Sequence, residues 1–334
     1  MALRVDAAHD VAVMATAGDA SLCKLSASSL GYFEDAFVQF FVKNPSRRMP
    51  IINRGYYARV AAIERVVTRF LDAHASSDAS TKKAQVVILG AGLDTMYFRL
   101  RHANRLPKNC EYYEMDFDDV TMQKVMAIRR RKQLMSVLGL SSVTELQAAV
   151  SAGGSALSVP GYHLIPGDLR EIATTREKLE AAGIDSTAPT LFVSEVVFVY
   201  MEAQFSREWI AWSSGYFADV SYALYEQILP DDAFGRVMMT NIKARGCDLL
   251  SIRDYPTIEA QIERFRVHHF EHVECWDMND VYYKYLEAEE RLKREKLEIF
   301  DEVEEYHMLQ AHYCLVVASK ATASKSAKAI TLQP

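Results

Sequence analysis

The sequence predicts an α/β protein built on a doubly wound, mostly parallel sheet of seven strands. Two observations carry this reading. Seven short apolar runs have the length and the β-branched or aromatic content of strands, at 85–90, 110–116, 162–166, 190–195, 222–227, 267–274 and 312–319. Apolar residues at helical spacing fill the intervals 119–138, 170–182, 204–217 and 233–245. Strands that alternate with helices imply parallel pairing, with helices on both faces of the sheet.

Each element follows in turn. A helical segment at 56–73 precedes the first strand. That strand, Val86-Val87-Ile88-Leu89, ends in Gly90-Ala91-Gly92-Leu93-Asp94-Thr95. The two glycines read as a tight turn over a ligand. Thr95 stands where a dinucleotide fingerprint wants its third glycine, and no Lys-Ser/Thr pair follows to make a phosphate-cradling loop. A nucleotide-like ligand without a pyrophosphate remains, and S-adenosylmethionine is the first candidate. The stretch 141–158 is rich in Ser, Ala and Gly and carries no motif. The charged segment 277–309 has Glu and Lys/Arg at i,i+4 spacing and reads as outer helices. Residues 1–20 are expected to be a flexible start and 321–334 a disordered tail. The interval 21–320 is expected to be one domain, with lid insertions at about 204–254.

Composition narrows the function. The chain has 334 residues, 50% hydrophobic and 25% charged, with a net charge of −6. This balance does not favour nucleic acid. Arg129-Arg130-Arg131-Lys132 is a local basic run, read as a solvated helical face. Five dispersed cysteines without a CxxC pair suggest reduced thiols in a cytoplasmic protein. No apolar run approaches the roughly 20 residues of a membrane span. His268-His269-Phe270-Glu271-His272 raises the question of a metal, but in a strand His268, Phe270 and His272 share one face and His269 lies on the other, a poor spacing for a closed site, so no metal is expected.

In a doubly wound sheet the ligand sits beyond the carboxyl ends of the strands. Those ends carry Gly90 and Gly92; Glu114 and Asp116, either of which can accept two ribose hydroxyls; Asp168 and Leu169; and Glu195. Glu195 is a carboxylate in an apolar run that continues to Tyr200, and burial there requires a partner. Asp94 reads equally as a helix cap or a ligand contact. Arg54 and Arg59 flank Tyr56-Tyr57 at a helix start, where guanidinium forks could hold a carboxylate.

Taken together, Ser21-Leu22-Cys23-Lys24, Asn53-Arg54-Gly55-Tyr56-Tyr57-Ala58-Arg59, the glycine turn, Glu195 with Val199-Tyr200-Met201, and Tyr225-Glu226-Gln227 resemble the leucine carboxyl methyltransferases. The resemblance runs from about Ser21 to Lys320. It implies a class I methyltransferase fold with N-terminal helices and a helical lid. It also implies S-adenosylmethionine as cofactor, S-adenosylhomocysteine as product, and methylation of the C-terminal leucine carboxylate of the protein phosphatase 2A catalytic subunit by a monomer. By position it implies cofactor contacts at Lys24, Arg59, Gly90, Gly92, Asp116, Asp168, Leu169 and Glu195, with Arg59 and Tyr200 beside the acceptor carboxylate. Trp209, Trp212, Phe217 and Phe234 are candidates to line the leucine pocket, although each reads more simply as core. An α-carboxyl is already ionised at neutral pH, and no strand-end motif contains a histidine, so no general base is expected. The competing readings are a small-molecule O-methyltransferase, a wybutosine-type tRNA carboxyl methyltransferase, for which the chain is expected to be too short, and a phosphatase-binding module without turnover.

Overall fold

The computed structural model describes residues 7–75, 83–321 and 324–332. Its centre is a nine-stranded sheet in the order β3-β4-β5-β2-β1-β6-β7-β9-β8. The strands are β1 (Ala84–Leu89), β2 (Cys110–Asp116), β3 (Val150–Ser151), β4 (Ala156–Val159), β5 (Tyr162–Pro166), β6 (Thr190–Glu195), β7 (Val220–Gln227), β8 (His272–Asp277) and β9 (Tyr313–Ser319). The middle of the sheet, β5-β2-β1-β6-β7, is parallel, whereas β9 pairs antiparallel with both β7 and β8. The two strands beyond the expected seven form an antiparallel hairpin on the far edge, pairing through β4 to β5. They occupy the motif-free stretch 141–158.

Every residue of β1 is buried, and its alternating side chains divide the core. Val86 and Ile88 face the layer that contains Ile63, Val66 and Phe70. Val87 and Leu89 face Leu179, Trp209 and Ile210. The first layer is supplied by α2 (Pro50–His74), which begins with proline at its first position, where the missing N–H costs nothing. Two further helices matter to the site: α3 (Met96–His102) after the glycine turn and α4 (Asp118–Arg129) after β2.

Four expectations are corrected. First, of the start expected to be flexible, 1–6 lie outside the described residues and the rest belongs to α1 (Ala7–Ser29), a 23-residue helix that meets the carboxyl ends of the strands through Ala17 and Lys24. Second, the tail carries a helix, Lys325–Ile330, whose Ile330 and the following Leu332 are buried beside α2. Third, the run 267–274 becomes a strand only at His272; His268 and His269 lie in a turn, with His269 at φ 66°. Fourth, the basic run is not one helical face, since α4 ends at Arg129 and a new helix starts at Lys132. Its four side chains are exposed.

Candidate active site

The chain leaves β1 toward β2 and β5 on one side, then crosses back to β6 and β7 on the other. A crevice therefore opens between the carboxyl ends of β1 and β6. Register aligns those ends, with Leu89 opposite both Met115 and Ser194, Asp116 opposite Pro166, and Glu195 opposite Tyr225.

The glycine turn needs its glycines. Gly90 and Gly92 have φ of 64° and 54°, a region that disfavours side chains. A Cβ at Gly90 would also stand 2.5 Å from Val197 Cγ2. The Gly92 N–H donates to Asp116 Oδ2 at 2.6 Å, and the Phe117 N–H donates to Oδ1 at 2.8 Å. Burial nonetheless raises the Asp116 carboxyl to about 6, against the pull of these two amides. Glu114 is used differently. It is fully buried, ion-paired with the equally buried Lys124, and accepts the Tyr162 hydroxyl at 2.8 Å. This choice leaves Asp116 as the carboxylate at the end of β2.

The densest charge lies across the crevice. Arg59, from α2, donates Nε to Glu195 Oε2 at 2.7 Å and a second nitrogen to the Glu195 carbonyl at 3.3 Å. Lys24, from α1, lies 2.5 Å from Asp94 Oδ2 and 3.8 Å from the same Glu195 oxygen. Burial opposes the Arg59 charge, but Glu195 beside it more than compensates and holds its pKa above the usual range. Burial likewise opposes ionisation of Asp94, yet Lys24, then Arg99 and Lys124, keep its carboxyl low. Asp94 also accepts the Met96 N–H at 2.7 Å at the start of α3, which is the capping role expected of it. The Arg59 guanidinium lies 5.0 Å from the Tyr225 ring centre and 5.6 Å from that of Tyr56. Tyr200 is close enough to sense the Arg59 charge, and burial raises its phenol.

The turn after Glu195 is strained. Val196, a β-branched residue, has φ 57°. The strain is held by Val196 N–H donating to the Tyr225 carbonyl at 2.7 Å and Val197 N–H donating to Glu226 at 3.2 Å. Glu226 is buried near Arg264, 4.0 Å away, and burial raises its carboxyl to about 7.

Some expected residues lie elsewhere. Arg54 points away from the crevice, with its guanidinium 3.7 Å from the Phe300 ring centre, so it forms no fork with Arg59. Leu169 is a core residue whose carbonyl accepts the Trp209 indole N–H at 2.7 Å. Asp168 is at the rim, but Arg170 engages both of its oxygens. Trp209, Trp212 and Phe217 pack around Phe192 in the sheet's second layer and line no acceptor pocket. Helix Ala203–Tyr216 therefore belongs to the sheet and not to a lid. Phe234 packs with Tyr200 in a small cluster around Val199, Met238, Leu249 and Ile252. That cluster, from helix Ala233–Lys243 and the segment after it, packs on Val196 and Tyr200 beside the turn that follows Glu195.

Sequence reasoning missed Arg170 and Asp10, and gave no role to Glu226 or to the Tyr225–Tyr313 pair, whose rings stack at 5.3 Å. For Asp10 a signal was available: Asp10, Ala17 and Lys24 recur every seven residues and so share one helix face. Among the described residues no group of three or more His, Cys, Asp or Glu could hold a metal.

A doubly wound sheet with a glycine turn, an acid at the end of the next strand and charged groups across the switch point defines a class I methyltransferase. The leucine carboxyl methyltransferase family model matches residues 12–213. The chain is 41% identical to the leucine carboxyl methyltransferase 1 homolog of Arabidopsis thaliana, over 92% of this chain and 89% of that one. It is 34% identical to leucine carboxyl methyltransferase 1 of Bos taurus, over 96% and 94%. It is also 35% identical to human tRNA wybutosine-synthesizing protein 4, over 92% of this chain but 44% of that protein. The chain belongs to the leucine carboxyl methyltransferase family, and is a methyltransferase acting on a carboxylate.

Proposed function

We propose that the protein uses S-adenosylmethionine to methylate the C-terminal leucine carboxylate of the protein phosphatase 2A catalytic subunit, forming a methyl ester. The observation that carries the reading is the shared carboxylate of Glu195, flanked by Arg59 and Lys24 at 2.7 and 3.8 Å. An amino acid moiety presents one carboxylate and one ammonium. Two cations, Arg59 and Lys24, beside two carboxylates, Glu195 and Asp94, form an edge that offers partners to both ends of that pair. Asp116 is the acceptor for the ribose hydroxyls, because both of its oxygens already face backbone amides at the turn.

When bound, the cofactor supplies an electrophilic methyl group. The chain's own residues bind, orient and dehydrate. An acceptor α-carboxyl has a reference pKa near ~3.5, so at neutral pH no group of this chain has to remove a proton. Arg59 holds a carboxylate at a fixed angle through its planar fork, and the rings of Tyr56 and Tyr225 fix that fork. Tyr200 and the cluster around Val199 and Met238 exclude water from the same edge. Holding the reactants in attack geometry can supply up to about 7–11 kcal/mol of barrier reduction.

The test is transfer of a labelled methyl group to the phosphatase catalytic subunit, with and without its terminal leucine, beside a tRNA arm. Labelling of the intact subunit alone is expected. Label that persists after the leucine is deleted, or that appears on tRNA, overturns the reading in favour of the other carboxylate acceptors.

A further inference from the structure

The contacts of α1 form a line across the mouth of the crevice. Asp10, Ala17 and Lys24 lie on one face of the helix, each two turns from the next, and span about 21 Å at 1.5 Å per residue. Lys24 reaches Asp94 and Glu195. Ala17 lies against the glycine turn, 3.2 Å from where a Cβ on Gly92 would stand. At the other end, Asp10 is held by Arg170 in a bidentate pair, 2.9 Å to Oδ1 and 2.7 Å to Oδ2. Arg170 simultaneously grips Asp168, with Nε 2.9 and 3.0 Å from its two oxygens and a terminal nitrogen 2.6 Å from Oδ2. Its guanidinium also lies 5.7 Å from the ring centre of Phe117, whose N–H holds Asp116.

The opposite side of α1 is tied down as well. The His9 ring lies 3.1 Å from the Asp248 carbonyl, and Ala12 packs on Gly246. One helix thus touches the glycine turn, the ends of β5 and β6, and the segment that follows helix Ala233–Lys243.

We propose that Asp10 and Arg170 are positioning residues that latch α1 over the Asp168 end of the cofactor site, and that opening this pair sets the rate of cofactor exchange. The proposal rests on the cofactor reading above and deepens it. Arg170 suits the task because its planar fork meets both oxygens of Asp10 and both oxygens of Asp168 at once, a fixed geometry that the compact ammonium of a lysine does not offer. The three side chains are 13% (Asp10), 20% (Arg170) and 23% (Asp168) exposed, so the pair is partly dehydrated but opens without disturbing the core. Arg170 covers both oxygens of Asp168. A ligand N–H that reaches that carboxylate must therefore share it with Arg170, which couples the latch to the ligand beneath it.

The experiment measures binding and release of S-adenosylhomocysteine by stopped flow on the full chain and on Asp10→Asn, Asp10→Glu and Arg170→Lys. Asp10→Asn is expected to raise the dissociation rate roughly tenfold, with a rise in the association rate and a smaller change in Kd; tenfold corresponds to about 1.4 kcal/mol. Asp10→Glu, which restores a bidentate carboxylate, is expected to recover most of the wild-type rate, and Arg170→Lys to behave like Asp10→Asn. Unchanged rates in folded Asp10→Asn and Arg170→Lys overturn the latch. A lower Tm without a change in dissociation rate reduces the pair to a structural tie and also overturns it. Failure of the wild-type chain to bind S-adenosylhomocysteine overturns the cofactor reading itself, an outcome distinct from a latch that binds and does not gate.

Discussion

Arg59→Ala isolates the group on which the proposed chemistry depends. The wild-type guanidinium makes two hydrogen bonds to Glu195, one to the side chain at 2.7 Å and one to the carbonyl at 3.3 Å. Both partners are largely dehydrated, with side-chain exposures of 14% and 11%. The reacting carboxylate loses charge in the transition state, so the contribution of Arg59 is orientation, and a misplacement of about 1 Å costs about 10²-fold in kcat/KM. The fold is expected to survive, because Glu195 retains Lys24 at 3.8 Å as a counter-charge. Arg59→Lys keeps the charge but not the fork, and is expected to recover only part of the loss. The assay is methyl transfer to the phosphatase subunit under kcat/KM conditions, with Tm and cofactor affinity measured on the same variants. Turnover of Arg59→Ala near the wild-type value, with the variant folded, would refute the reasoning.

Two other predictions concern acids that the fold uses differently. Burial raises Asp116 to about 6, above its unfolded value near ~3.9. Its ionised form is what accepts hydroxyl donors, so affinity for S-adenosylhomocysteine is expected to weaken as pH falls through 6, and Asp116→Asn to bind weakly with this dependence flattened. The linkage sign for folding is the reverse: between about 6 and 4 the native state holds the extra proton, so this group's contribution to stability rises as pH falls. An affinity that is flat from pH 7 to 5 in the wild-type chain would refute the assignment. Lys124→Met leaves Glu114 charged and buried, and is expected to cost about 3–5 kcal/mol in denaturant unfolding, whereas the double variant with Glu114→Leu recovers most of it. Equal losses in the single and double variants would show that the pair is not coupled.

The sequence announced the parts of the fold that bury large apolar side chains. All of β1 is aliphatic or closely packed, and the turn after it needs two glycines at positive φ, so both were legible. The strand ends followed from topology, which also made Asp116 and Glu195 findable. Elements built from small residues were not legible. The helix α1 is rich in Ala and Ser, and the C-terminal helix is short and lysine-bearing, so their burial comes from tertiary contact more than from a strong apolar stripe. The hairpin of β3 and β4 pairs an edge rather than filling a core. Arg54 misled because one helix carries two arginines five residues apart, which fall on different faces, one toward Phe300 and one toward Glu195. Arg170 was hidden for a different reason, since its partner Asp10 is distant in sequence.

Val196 gives the crevice a built-in bias. A valine at φ 57° costs about 1–3 kcal/mol of backbone energy, and glycine there would remove that cost. The same glycine would also let the peptide after Glu195 sample many orientations, freeing the carbonyl that Arg59 grips. The native residue therefore trades thermal robustness for a single arrangement of the acceptor edge.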